Sequence, residues 1–176
     1  MLSIKEIPIE EIETFWEAHF EYLIRDGIIT DLDDKEYFKG QEYRSAIMEH
    51  MQREKDVHHL VYFMEAGRKI GAASYCTYQS EDGKCFILDY WIFPPFRSRG
   101  YGHKCFELLQ RYTEKDGATY YELNCDGRED RMRFWKSNGF REKGMDEYGV
   151  PLLIRRHPDI SLYSASSVRK SPSASL

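Results

Sequence analysis

From His58 to Phe93 the apolar residues of this chain recur with a period of two, whereas on either side of that stretch the period is near 3.6. No other feature limits the fold as strongly, because a segment patterned for a strand would expose half of its apolar set if it coiled into a helix. "HHLVYFMEA" (58–66), "KIGAASYCTYQS" (69–80) and "KCFILDYWIF" (84–93) are rich in β-branched and aromatic residues and are separated by "GR" and "EDG". Short glycine-containing turns join antiparallel neighbours, so three hairpin-connected strands are predicted.

The flanking segments follow the helical period. Leu2, Ile4 and Ile7 predict a short first strand, after which Pro8 opens a helix carrying Ile9, Ile12, Phe15, Trp16, His19, Phe20 and Leu23 and ending at Asp26-Gly27. A second helix is predicted from Asp33-Asp34 through Tyr37, Phe38, Tyr43, Ile47, Met48 and Met51, weakened locally by Gly40. From Gly100 a stripe of Tyr101, Cys105, Leu108, Leu109 and Tyr112 predicts another helix, and Gly117 leads into the strand "TYYELNC" (119–125), a β-α-β crossover. Asp126 and Glu129 make a D-x-x-E start for a helix ending at Asn138-Gly139, and two strands near 140–144 and 150–156 follow. Past His157-Pro158 the chain is rich in Ser, with Lys and Arg, and reads as a flexible tail over 157–176.

Composition narrows the function. With 176 residues, 41% of them hydrophobic and 15% aromatic, one domain with a sizeable core is expected. The first residues alternate apolar and charged types, and no apolar run approaches the length of a membrane span, which predicts a soluble, cytoplasmic protein. A formal net charge of -5 argues against general affinity for nucleic acid. Cys76, Cys85, Cys105 and Cys125 form no C-x-x-C pair, and His58-His59 face opposite sides of a predicted strand, so neither a disulfide framework nor a metal site is indicated.

The segment "FPPFRSRGYGHK" (93–104) joins the last of the three strands to the helix that starts near Gly100. The free N–H groups of a first helical turn lie at the positive end of the helix dipole and suit phosphate oxygens. Gly100 and Gly102 would let a diphosphate approach those amides, with Arg97, Arg99, His103 or Lys104 adding charge-assisted hydrogen bonds. Neither the G-x-x-x-x-G-K-[ST] loop nor the dinucleotide fingerprint is present, since Cys105 stands where the latter wants a small residue.

Arg97-Ser-Arg-Gly100-Tyr-Gly102 resembles the (Q/R)-x-x-G-x-(G/A) signature of the GCN5-related N-acetyltransferase (GNAT) superfamily, and "RFWKSNGF" (133–140) resembles its later helix followed by G-F. The resemblance covers about residues 1–156. It implies a mixed α/β (α+β) fold with a mostly antiparallel central sheet and helices on both faces, in the order β-α-α-β-β-β-α-β-α-β-β. It implies acetyl-CoA as donor, with no metal, and acetyl transfer to an amine. The pyrophosphate is expected on the amides around Arg97, Ser98, Arg99, Gly100, Tyr101, Gly102 and His103. The pantetheine arm is expected beside Tyr90, Trp91 and Ile92, in a gap between the strands of Asp89 and Glu122, with Asn124 a partner for one of its amides.

An alkylammonium with a pKa near about 10.4 must lose a proton before it attacks, which costs roughly 4–5 kcal/mol at pH 7. Glu122 and Asp89 stand inside otherwise apolar strands, where burial favours proton uptake, and are the candidate bases, Glu122 first for its longer side chain. Many family members carry a tyrosine four residues before the glycine of G-F, as an acid for the leaving thiolate; this chain has Trp135 there, near the expected cofactor, and indole is no useful acid. Tyr148 or water are the alternatives. Cys105 or Cys125 as covalent carriers lack a histidine partner in sequence and read as structural.

The resemblance also implies that the acceptor lies against the first two helices and the last hairpin. Glu17, Glu21, Asp26, Asp31, Asp33, Asp34 and Glu36 among Phe15, Trp16, Phe20, Tyr22, Tyr37 and Phe38 would favour a small cationic amine, with a peptide or protein amine second. A CoA-binding sensor without catalysis, and a homodimer paired through the last strands, stay open.

Overall fold

The structure is a computed structural model and describes residues 1–156; the tail expected over 157–176 lies outside the described residues. The elements in chain order are β1 (Leu2–Glu6), α1 (Ile12–Arg25), α2 (Leu32–Lys39), α3 (Gln41–Met51), β2 (His58–Glu65), β3 (Arg68–Tyr78), β4 (Lys84–Ile92), α4 (Tyr101–Thr113), β5 (Tyr120–Asn124), α5 (Glu129–Ser137), β6 (Arg141–Met145) and β7 (Pro151–Arg156). The strands form one sheet in the order β1-β2-β3-β4-β5-β7-β6. Every neighbouring pair is antiparallel except β4 and β5, the two strands that the α4 crossover joins.

Two apolar layers sandwich this sheet. On one face Cys105, Phe106 and Leu109 of α4 and Trp135 of α5 pack on Val61, Tyr75, Ile87, Tyr121 and Leu123. On the other, Phe15, Trp16 and Leu23 of α1 and Tyr43 and Ile47 of α3 pack on Leu60, Tyr62, Ala72 and Trp91. Burying both faces explains why β3 runs apolar without alternation, with eight consecutive residues inaccessible.

The predicted element order holds with one difference. The helix expected through residue 51 is two helices, because Gly40 leaves the helical conformation (ψ 155°) and ends α2 while it caps α3. Two predicted starts also move. Asp31, not Asp33-Asp34, opens α2, its Oδ1 accepting from Asp34 N over 2.8 Å. The expected cap at Asp126 is instead an Asx turn: its Oδ1 accepts from Arg128 N over 3.2 Å, and α5 begins only at Glu129. Pro8 precedes a short 3₁₀ turn, Ile9–Glu11, that continues into α1. Among the described residues no helix is long and apolar enough to cross a membrane.

Candidate active site

The site is built where two strands part. β4 and β5 pair over only three positions, Lys84↔Tyr120, Cys85↔Tyr121 and Phe86↔Glu122. Beyond Glu122, β5 stays with β7, Asn124 facing Leu152, while β4 stays with β3, Trp91 facing Ala72. Among the described residues, one edge of β4 beyond Phe86 therefore has no strand beside it; Ile92 O on that stretch accepts from Arg97 Nε, and the other backbone groups of the edge have no strand partner.

A bulge at this point decides which side chains face the gap. Ser74 pairs with Asp89 but Tyr75 pairs with Ile87, so Leu88 is the extra residue. Strict alternation from Cys85 and Ile87 would send Asp89 and Trp91 into the α4–α5 layer with them. The inserted residue reverses the phase: Trp91 packs in the α1–α3 layer, and Asp89 meets His19 of α1. Glu122 lies between Tyr121 and Leu123, which both pack under α4 and α5, so it also points to the α1 face. The sheet thus presents both sequence-predicted carboxylates on one face, flanking the point where the strands separate.

Their partners differ. His19 Nε2 lies 3.0 Å from Asp89 Oδ2, and the Asp89 side chain keeps 11% exposure. Glu122 is 6% exposed and accepts from Lys143 Nζ, which reaches across β7 from the bulged β6 strand. Around Asp89 stand Tyr22 and Tyr43, whose phenols are pushed well above their usual range by burial first and by the Asp89 charge second. His58 donates to or accepts from Ser74 Oγ over 2.7 Å, and burial lowers its pKa to about 4.

At the mouth of the gap the chain leaves β4 through a 3₁₀ turn, Pro94–Phe96, and enters α4 at Gly100. Gly100 is left-handed (φ 78°) with open space where a Cβ would lie, and Ser98 is left-handed too (φ 58°), so the turn bends sharply around its own amides. Arg97, Ser98, Arg99, Gly100 and His103 are exposed, and Tyr101 is half-buried, its hydroxyl donating to Glu65. Tyr90, on the opposite face from Asp89, donates its hydroxyl to Gly102 O over 2.6 Å and so fixes the first turn of α4 to the sheet. The sequence reading of Gly102 changes here: a Cβ would stand 2.8 Å from Phe134 Cε2, so its smallness first serves the contact between α4 and α5. His103 adds to that contact through Asn138, Nδ1 to Oδ1 over 3.0 Å.

Some predicted residues are held by other groups. Arg97 donates to Asp26 and to Ile92 O. Asn124 is exposed at the end of β5 and donates to Asp146 Oδ2 over 3.0 Å. Trp135 is buried among Tyr90, Phe106, Phe134 and Phe140, and Tyr148 is exposed in the turn between β6 and β7. Cys105 and Cys125 are buried, and desolvation raises both thiols, Cys105 to about 12, which keeps them protonated as the structural reading requires. Among the described residues no group of three or more His, Cys, Asp and Glu side chains is placed to hold a metal.

The expected acceptor wall is partly realised. Trp16, Glu17, Phe20 and Glu21 line a groove of about 500 Å³ beside α1, but Arg25, Lys39 and Arg44 line it as well, so its rim carries both signs of charge. Asp31 is spent on capping α2. Sequence reasoning did not single out His19, Lys143 or the role of Asp26. The available signal for His19 was a polar residue on the apolar stripe of α1; Lys143 and Asp26 carried none, because their partners lie 21 and 71 residues away.

The sheet thus splits between two parallel strands, with the loop from Arg97 to His103 at the mouth of the split and two carboxylates beside it. A profile of the acetyltransferase (GNAT) family matches residues 16–140, and the chain belongs to that family. Among solved structures, the PaiA N-acetyltransferase of Thermoplasma acidophilum in complex with coenzyme A superposes with a TM-score of 0.69 at 16% identity, over 89% of this chain and 99% of that one. The aminoglycoside acetyltransferase AAC(6')-Ib in complex with coenzyme A gives 0.63 at 16% identity, over 93% and 99%. The ribosomal-protein-S18-alanine N-acetyltransferase of Escherichia coli gives 0.59 at 13% identity, over 89% and 94%. At such identities the likeness is one of fold. A comparison with curated protein sequences finds no match.

Proposed function

We propose that this acetyltransferase moves the acetyl group of acetyl-CoA directly to a primary amine, a small cationic one, in a ternary complex. The observation that carries the reading is the strand separation beyond Phe86 and Glu122, with both carboxylates on the face that α1 covers. The edge of β4 at Tyr90, Trp91 and Ile92, which no strand covers among the described residues and where Ile92 O accepts from Arg97, is the proposed place of a pantetheine arm, and the exposed loop from Arg97 to His103 that of its pyrophosphate. The thioester supplies an activated acyl carbon. The chain's own residues hold it beside the acceptor and take up the ammonium proton; the amine nitrogen bonds to the acyl carbon as the carbon–sulfur bond breaks, and the second proton that the nitrogen then loses passes through water to the departing thiolate.

Asp89 and Glu122 are the proposed proton acceptors. A carboxylate on the same face also attracts an ammonium ion to the gap, which favours cationic acceptors. Structural neighbours include an enzyme acting on aminoglycosides and one acting on a ribosomal-protein alanine, so the acceptor panel spans diamines, aminoglycosides and a peptide with an N-terminal alanine. The test measures CoA release with that panel beside the acetyl-CoA-induced rise in melting temperature. Release with diamines supports the proposal, and release only with the peptide moves the acceptor to protein. A melting rise without release from any amine leaves a CoA-binding module, a reading that the buried Trp135 at the expected tyrosine position favours.

A further inference from the structure

We propose that His19 is the positioning residue that makes Asp89 the working base, by holding Oδ2 and leaving Oδ1 for the substrate ammonium; this rests on the acetyl-transfer reading above. His19 is 2% exposed within an aromatic layer where a phenylalanine would pack without a polar atom to satisfy. Its one polar partner among the described residues is Asp89, Nε2 to Oδ2 over 3.0 Å. A proton on Nε2 donates to that oxygen and fixes the tautomer.

The imidazole cannot turn away. Its ring lies nearly parallel to Phe15 on one side (centroids 5.6 Å, 13°) and to Tyr43 on the other (6.0 Å, 5°), with Trp16 and Phe38 at its edges. A donor held between two rings sets the orientation of the carboxylate that accepts from it. Asp89 Oδ1 makes no hydrogen bond among the described residues, while the side chain retains 11% exposure. One oxygen is thus held and the other has no hydrogen-bond partner among the described residues, the arrangement in which a third group orients a base.

The other groups that feel the Asp89 charge do not compete for this role. Tyr22 of α1 and Tyr43 of α3 are phenols that burial keeps protonated, and His58 of β2 is kept neutral by burial and bonded to Ser74. Glu122 already accepts from the Lys143 ammonium, which leaves Asp89 as the carboxylate that no Lys or Arg side chain pairs with among the described residues.

The experiment compares His19→Leu, His19→Gln, His19→Asn and Asp89→Asn in steady-state CoA release from acetyl-CoA, with 1,4-diaminobutane and kanamycin as acceptors. Melting curves with and without acetyl-CoA accompany each variant. Asp89→Asn and His19→Leu are expected to lower kcat by about 100-fold, with the KM for acetyl-CoA and its melting shift retained. His19→Gln, whose amide N–H still reaches Oδ2, is expected to stay within about fivefold of the parent. His19→Asn, whose amide stops short, provides the low-activity comparison should the leucine variant not fold. If Asp89→Asn is inactive while His19→Leu or His19→Asn turns over normally, the role of His19 is overturned and the base stands. Equal losses in folded His19→Gln and His19→Asn also overturn it. Normal turnover by Asp89→Asn removes the base assignment, and no release by the parent protein removes the acetyl-transfer reading for these amines with everything built on it.

Discussion

The guanidinium of Arg97 donates from Nη2 to Asp26 Oδ2 over 2.6 Å and from Nε to Ile92 O over 2.8 Å, so the loop ahead of α4 is tied to the last turn of α1. Asp26 is a junction in its own right. Its backbone carbonyl accepts from Arg128 and Arg131, near the start of α5, and its carboxylate accepts from Arg25. Three segments that border the gap therefore meet at one residue.

If Arg97 contacts pyrophosphate, the Asp26 carboxylate is an internal anion competing for the same guanidinium. Asp26→Asn is expected to tighten CoA binding by about 3- to 10-fold, read by titration calorimetry, and to cost at most about 1 kcal/mol of stability because the pair is partly exposed. Weaker binding in the variant would mean that Asp26 orients Arg97 instead of withholding it.

The two glycines of the loop should fail differently. Gly102→Val drives a side chain into Phe134, and a loss of about 1–3 kcal/mol is expected from overpacking between α4 and α5. Gly100→Val meets no neighbour but must adopt φ 78°, with a cost of about 1–2 kcal/mol. Both variants should lose the melting shift on adding CoA. A normal shift in both would argue against a phosphate site on this turn.

His58 sets a pH dependence of stability. Burial lowers its folded pKa to about 4 from an unfolded value of 6.5, so between these limits the unfolded chain binds the proton and the folded one does not. Stability is therefore lost as pH falls from about 6.5 toward 4, by roughly 3 kcal/mol in all at about 1.36 kcal/mol per unit. His58→Gln, which keeps a donor for Ser74, should flatten that limb in melting curves recorded across the range. An unchanged slope would show that other groups carry it.

Lys143 should matter more to Glu122 than its exposure suggests. Lys143→Met leaves a buried carboxylate without its cation and is expected to destabilise by about 1–2 kcal/mol, less than for a fully buried pair because Lys143 is 46% exposed. Adding Glu122→Gln should recover part of the loss in denaturant unfolding. Additive losses in the double variant would rule out coupling between the two.

Much of the fold was legible because its signals are local. The strands between His58 and Phe93 announce themselves by period, and Gly100 by its place between a strand and an amphipathic stripe. Gly40 shows the limit: a glycine inside a helical pattern either lowers helix stability or ends the helix, and only the packing of Tyr43 and Ile47 on the sheet selects the second. Asp126 shows another, since its side chain closed a turn two residues on instead of capping a helix.

The order of strands and helices, the glycine loop after the last of the three strands and the two carboxylates within apolar strands were all readable from local pattern, because each depends on neighbours a few residues apart. Where those carboxylates point, and what holds them, follows from long-range packing. Alternation along "KCFILDYWIF" would bury Asp89 under α4; the extra residue at Leu88, set by pairing with β3, turns it to α1, where His19 meets it. Lys143 reaches Glu122, and Asp26 reaches Arg97, only after the chain has closed. Such contacts join residues far apart in the chain, and no local pattern encodes them.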